Sequence, residues 1–175
     1  MQILSPGNIL RIPNYEFEGR GERRDKFVIV IDISKEHSLL LRVLTTSKIK
    51  VPEDKILHGC WNKPDLGLHF FLFEQDRNIG TSNRKPYCFP KNTFILFRNN
   101  IKDINLKPFV EKYKDVVQYI CTLNTNEFIR LKKCIRQNER MADRSAKRNF
   151  PHIFTSEHGR KLEGKYINIS NDLRT

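Results

Sequence analysis

The sequence predicts a mainly β protein, a small barrel followed by C-terminal α-helices, and three observations carry that reading. Five or six apolar runs of strand-favouring residues fall within roughly the first 100 residues, separated by polar, Pro-bearing or Gly-bearing turns. Beyond residue 105 the apolar spacing changes to the three-and-four step of a helix. The 175 residues suit one domain with an appendage and are enough to bury a core. On this reading residues 1–105 form the barrel, 106–140 form two helices packed on it, and 141–175 are a basic, partly ordered tail.

Ser5-Pro6-Gly7-Asn8 is a turn that launches a short strand over residues 9–12. Residues 13–22 are polar and glycine-bearing and read as a loop of the kind that belongs to a binding surface. Its two aromatics, Tyr15 and Phe17, either stack on the bases of a single strand or pack beneath the loop as its own small core. The runs 27–33 and 39–44 pair as an antiparallel hairpin turning at Ser34-Lys35-Glu36-His37. In that hairpin Arg23, Arg24 and Lys26 face Thr45, Thr46, Ser47 and Lys48 across one sheet edge. Guanidinium, ammonium and small hydroxyl groups together suit a phosphate, though basic residues before a strand and Thr-Ser after one are also ordinary solvated boundaries.

Residues 49–64 read as irregular because Pro52, Gly59 and Pro64 interrupt them. The run 68–73 is apolar on both faces and so predicts a strand buried on both sides. Residues 77–85 read as a polar loop and 93–97 as a further strand. Phe109, Tyr113, Val116, Val117 and Ile120 share one face of a helix opened near Leu106-Lys107-Pro108. Asn124 and Glu127 sit as N-cap and capping-box partner of a second helix, with Phe128, Leu131 and Ile135 as its apolar stripe. Arg130, Lys132, Lys133, Arg136 and Arg140 make its other face basic.

The formal charge is +12, and residues 130–175 alone hold 12 Lys and Arg against 5 Asp and Glu. Such an excess calls for a polyanionic partner: a nucleic acid, an acidic protein or an anionic surface. Cys60, Cys88, Cys121 and Cys134 are far apart with no CxxC pair. Together with an N-terminus unlike a signal peptide and no run of membrane-spanning length, they predict a cytoplasmic protein with free thiols. His58, Cys60, His69 and Cys88 are zinc-ligand types, but their spacing matches no paired ligand knuckle, so neither a metal nor another cofactor is expected.

Gly7-Asn8-Ile9-Leu10, Lys26-Phe27-Val28-Ile29-Val30 and Val43-Leu44-Thr45-Thr46-Ser47-Lys48 occur in the order of the MazF/PemK (Kid) toxins, and the chain resembles that family. Lys91-Asn92-Thr93-Phe94-Ile95 is similar to the later barrel strand in general character. The resemblance implies an SH3-like barrel, a homodimer, an antitoxin partner, and metal-independent cleavage of single-stranded RNA, an mRNA being the expected target. Where the family has Arg-Pro at the head of its second strand, Arg24-Asp25-Lys26 stands here, so Arg24 or Lys26 takes the arginine's role. Thr46 and Ser47 would hold phosphate oxygens, and Arg23, Lys48 and Lys91 would join Tyr15 and Phe17 in holding RNA.

Transesterification by the ribose 2′-hydroxyl needs a base, a proton for the leaving 5′ oxygen and cations for the phosphorane. His58 and His69 are the imidazole candidates, and His69 also reads as a satisfied, half-buried strand residue. Arginine and hydroxyl groups alone, acting by position and charge, are the other possibility. Beside the nuclease stands a second class, a non-catalytic nucleic-acid-binding barrel that uses Tyr15, Phe17 and the basic tail. A protein-interaction module with acidic partners explains the charge but not the hydroxyl cluster.

Overall fold

The computed structural model describes residues 4–17, 21–47, 57–98 and 100–155. Among the described residues ten strands are β1 Asn8–Glu16, β2 Arg23–Ser34, β3 Leu39–Leu44, β4 Gly59–Lys63, β5 Leu68–Phe73, β6 Gly80–Ser82, β7 Lys85–Tyr87, β8 Thr93–Leu96, β9 Lys102–Asn105 and β10 Gln118–Leu123. The same residues form four α-helices, α1 Leu106–Tyr113, α2 Thr125–Gln137, α3 Arg144–Asn149 and α4 Pro151–Phe154. The chain is mainly β with antiparallel sheets and helices gathered toward its C-terminal side, as the apolar runs predict.

The barrel does not close. Seven strands make one sheet in the order β7-β6-β10-β1-β2-β3-β9, and β4-β5-β8 make a second. Both neighbours of β5 are taken within the small sheet. Among the described residues the link between the sheets is a bridge between Thr46 and Phe94, with N–H···O distances of 2.8 and 2.7 Å.

Both faces of the large sheet are covered. Ile29 and Ile31 of β2 enter one core with Phe71, Phe73 and Phe97, while Val28 and Val30 enter another beneath α1 with Leu10, Tyr15 and Phe109. Two-sided burial is why β2 reads as a continuous apolar run rather than an alternating one. β5 behaves likewise, sending Phe71 and Phe73 to the first core and Phe70 and Leu72 to a third with Phe94. Each such fully buried phenylalanine contributes about 2–3 kcal/mol of apolar burial.

Four expectations change, the first being that residues 59–63, inside the stretch 49–64 expected to be irregular, form β4 against β5. The residues expected to form a loop after Ile12 continue as β1 to Glu16, over a bulge at Pro13 and Asn14, where Asn14 takes φ 51°. The polar stretch after Arg77 contains a tight hairpin, β6 to β7, turning on Asn83 and Arg84 at φ 49° and 65°. The first helix ends at Tyr113, and residues 118–123 form β10 between β1 and β6, so Ile120 is a strand residue. Its three-and-four spacing with Tyr113 and Val117 mimics a helix, but a place between two strands outweighs that local preference.

The second helix keeps its expected start. The Asn124 side chain accepts from the Glu127 N–H at 2.9 Å, and Leu131 and Ile135 are buried. Tail residues 144–154 carry α3 and α4, and Ala146 of α3, Ile153 and Phe154 of α4 and Phe150 between the two join the first core. The remainder of the expected tail lies outside the described residues.

Candidate functional site

The β2–β3 pair turns around Lys35 to Ser38, and its register places Lys26 opposite Thr46, two steps beyond the Val28–Leu44 pair. That juxtaposition was legible in the sequence. The side chains are less available than their types suggest. Lys26 is half-buried, donates to the Thr45 carbonyl at 3.0 Å and lies 5.5 Å from the Phe17 ring centroid. Burial, and then the nearby Arg24 charge, pull its ammonium below the usual lysine range. Arg24 pairs with Glu22 at 3.4 Å and Arg23 with Glu16 at 3.9 Å. Ser47 and Lys91 are exposed, and Lys48 lies outside the described residues.

Tyr15 does not reach solvent for base stacking. It is 5% exposed, stacks on Tyr113 at 5.7 Å, and its hydroxyl accepts from Arg42 at 3.1 Å. The private-core alternative therefore holds for Tyr15, because the bulge turns it inward. Phe17 packs edge-on against it, half-buried.

His69 lies elsewhere. Phe94, which bridges to Thr46, pairs with Leu72 of β5, and strand alternation puts His69 on the other face of that sheet from Leu72. The sequence-predicted combination of His69 with Lys26 and Thr46 is thus not assembled. His69 instead joins Asn62 of β4 and Asn138, just beyond α2. Its Nδ1 is 3.1 Å from Asn62 Oδ1 and 3.0 Å from Asn138 Oδ1. Both amides have their orientation fixed, since Asn62 Nδ2 donates to the Gln137 carbonyl at 3.0 Å and Asn138 Nδ2 to the Cys134 carbonyl at 2.9 Å. Two carbonyl-type oxygens can only accept, so Nδ1 carries the proton and a neutral ring presents an unprotonated Nε2.

The ring lines a cleft of about 410 Å³ with Arg136, Arg140, Glu139 and Met141. A neighbouring cleft of about 470 Å³, sharing Asn62 and Gln137, adds Trp61 and Lys63. Trp61 is stacked on Phe70 at 5.7 Å and anchored by its indole N–H to the Leu57 carbonyl at 2.8 Å. An imidazole of fixed tautomer in a cleft also lined by two arginines, of which Arg136 donates its Nε–H to the Ile153 carbonyl at 3.3 Å, has the residue types to take a proton near a bound phosphate. Sequence reasoning saw Arg136 and Arg140 as a basic helix face, but the two asparagines carried no signal. They lie 7 and 69 residues from His69.

The other histidine candidate is closed off. His58 and Glu127 side chains are 5% and 6% exposed and meet at 2.8 Å, with Arg130 on the second carboxylate oxygen at 3.3 Å. The Glu74 N–H donates to His58 Nδ1 at 3.3 Å, so Nε2–H donates to Glu127. Burial pulls the His58 pKa below its usual 6.5, outweighing the attraction of Glu127. A depressed folded value means that stability is fully present above 6.5 and is lost as pH falls below it toward the folded value. Urea melts from pH 8 to 5 are expected to show that loss, and His58→Gln to abolish the part beginning near 6.5; an unchanged profile in the variant would refute the assignment.

Two of the four cysteines are not free thiols, against expectation. Cys60 and Cys134 form a disulfide across 74 residues, because β4 and α2 pack together. Cys88 and Cys121 are free, and burial pushes the Cys121 thiol up to about 12. The four zinc-ligand types do not converge, since Cys60 is in the disulfide, His58 is on Glu127 and His69 is on the asparagines. Among the described residues no helix is long and apolar enough to cross a membrane. No family model, curated protein or solved structure matches the chain.

Proposed function

We propose that this chain is a metal-independent endoribonuclease for single-stranded RNA, and that its chemistry resides at His69. The observation that carries the reading is an imidazole whose Nδ1 lies against two amide oxygens, on a residue that lines a cleft together with Arg136 and Arg140. Nε2 removes the 2′-hydroxyl proton, the 2′ oxygen attacks the adjacent phosphorus, and the bond to the 5′ oxygen breaks. The guanidinium groups stabilise the phosphorane, and solvent at the open cleft returns a proton to the 5′ oxygen. Products are a 2′,3′-cyclic phosphate and a 5′-hydroxyl. The +12 charge supplies the long-range attraction for RNA.

The resemblance to MazF/PemK toxins belongs to the same proposal. It adds an SH3-like ancestry for the open β core, a homodimer, a cytoplasmic setting, and an antitoxin whose acidic segment covers the basic cleft. It also directs attention to the Lys26–Thr46 end, where a second reading has support. There the cations are tied to Glu16, Glu22 and the Thr45 carbonyl. Such an arrangement favours gripping RNA over cutting it, which is the non-catalytic binding alternative.

The test is incubation of the protein with a long single-stranded RNA in EDTA, followed by analysis of the product ends. Discrete cuts with cyclic-phosphate and 5′-hydroxyl termini are expected, reduced at least tenfold by Arg140→Ala and little changed in rate by Lys26→Ala at saturating RNA. Cutting lost with Lys26→Ala but kept with Arg140→Ala would move the active site to the β2–β3 end. Salt-sensitive binding without any cutting would leave the binding protein as the correct description.

A further inference from the structure

Arg42, in the middle of β3, is 4% exposed and faces the core beneath α1, between Leu40 and Leu44. Its Nη2 donates to the Tyr15 hydroxyl at 3.1 Å, and its guanidinium carbon lies 5.9 Å from the Tyr15 ring centroid. Nε and Nη1 are fully buried and have no hydrogen-bond partner among the described residues. No described carboxylate lies within 4.0 Å of it, and its cross-strand neighbour on β9 is a second cation, Lys102. A buried guanidinium without a counter-charge is among the costliest arrangements a core can hold, and it is retained where something completes it.

The neighbouring space shows what that is. A cavity of about 530 Å³ lies between the end of β1, β9 and α1. Tyr15, Phe109 and Tyr113 wall it, with Leu39, Ile104 and Pro108. Tyr15 is both part of this wall and the present partner of Arg42, which does not itself line the cavity. It follows directly on the bulge at Pro13 and Asn14, where β1 leaves its register with β2. The bulge backbone is fastened by Asp25, which accepts from the Asn14 N–H at 3.1 Å, while the Tyr15 side chain is held by Arg42 and by ring contacts.

We propose that Arg42 is the anion centre of a binding site for a small aromatic monocarboxylate. The ligand's ring occupies the aromatic cavity, and its carboxylate takes the place of the Tyr15 hydroxyl on the guanidinium. A carboxylate makes two parallel bonds to a guanidinium where a phenol makes one, so the exchange satisfies donors that are now unpaired. The walls select an aromatic body because three aromatic rings, Tyr15, Phe109 and Tyr113, line the cavity. A single negative charge is preferred over a phosphate dianion, because Glu16 and Asp103 also border the cavity. Glu16 is occupied by Lys112 at 2.7 Å, and Asp103 by Ser145 and Asn149 at 2.6 Å each.

The test compares phenylacetate with its neutral analogue 2-phenylethanol, by titration calorimetry on the full chain at constant ionic strength. Wild-type protein is expected to bind phenylacetate at least tenfold more tightly than 2-phenylethanol, and inorganic phosphate no better than the alcohol. Arg42→Met keeps the volume and removes the buried charge, so it is expected to fold, to bind both ring compounds equally and to lose the carboxylate preference. Tyr15→Phe removes the competing hydroxyl and is expected to tighten phenylacetate several-fold. Equal binding of acid and alcohol by the wild type, or a carboxylate preference surviving in Arg42→Met, would overturn the proposal. So would phosphate binding more tightly than phenylacetate.

Discussion

Replacing His69 with glutamine is expected to slow RNA cleavage about a thousandfold, the contribution of a positioned general base. Glutamine retains an N–H for Asn62 and Asn138, so the melting temperature and RNA affinity should stay close to wild type. His69→Ala opens the same space, and added imidazole should restore part of its activity by supplying the missing base. That rescue separates chemistry from architecture, because a merely structural histidine has no proton to transfer. Full activity in His69→Gln would remove this cleft from the mechanism.

In the proposed mechanism Asn138 would act through the ring rather than on RNA. It is 3% exposed, donates to the Cys134 carbonyl and presents Oδ1 to His69, which fixes the tautomer. Aspartate at either amide position would convert the support into a histidine–carboxylate pair, the variant found in many hydrolytic triads. The buried His58–Glu127 pair already has that composition, but it is sealed by the Phe71 and Phe73 rings. Composition alone therefore does not distinguish the two histidines, whereas access does.

How much of this was legible in the sequence depends on how far apart the interacting residues lie. The β2–β3 hairpin and the start of α2 follow from signals a few residues long, namely apolar runs, a turn and a capping residue. Tyr15 reads as a loop residue with two alternatives, stacking or packing, and lies in β1 because the bulge that carries the strand past Pro13 depends on pairing with β2 and on Asp25, not on local composition. β10 was misread because its apolar residues fit a helical step with α1, and only its position between β1 and β6 resolves the ambiguity. The site itself is non-local. His69 was visible as an imidazole, but its asparagines come from β4 and from the end of α2, and nothing in their local sequence marks them. Lys26 does bond the Thr45 carbonyl beside Thr46, but Arg23 and Arg24 are paired with Glu16 on β1 and Glu22 before β2, pairings that the local sequence does not mark.

Removing the Cys60–Cys134 disulfide is expected to cost about 4 kcal/mol, the chain-entropy value for a closed loop of this length. The bond joins residues 74 apart, longer than the sequence spanned by any strand pair of the small sheet, and it fastens β4 to α2. In a chain of this size that loss lowers the melting temperature by about 8–16 °C. Urea and thermal melts of the oxidised protein, the dithiothreitol-treated protein and the Cys60→Ser, Cys134→Ser double variant check the value. Identical midpoints in all three would show that the crosslink does not form. The effect should extend to the cleft, because Asn62 lies two residues beyond Cys60 on the same face of β4 and Asn138 one helical turn beyond Cys134. The disulfide and the two amides thus form one seam between the small sheet and α2, with His69 at its end. Its opening should relax the hold on Nδ1 and lower cleavage by more than the stability loss alone explains, measured at a temperature where both forms remain folded.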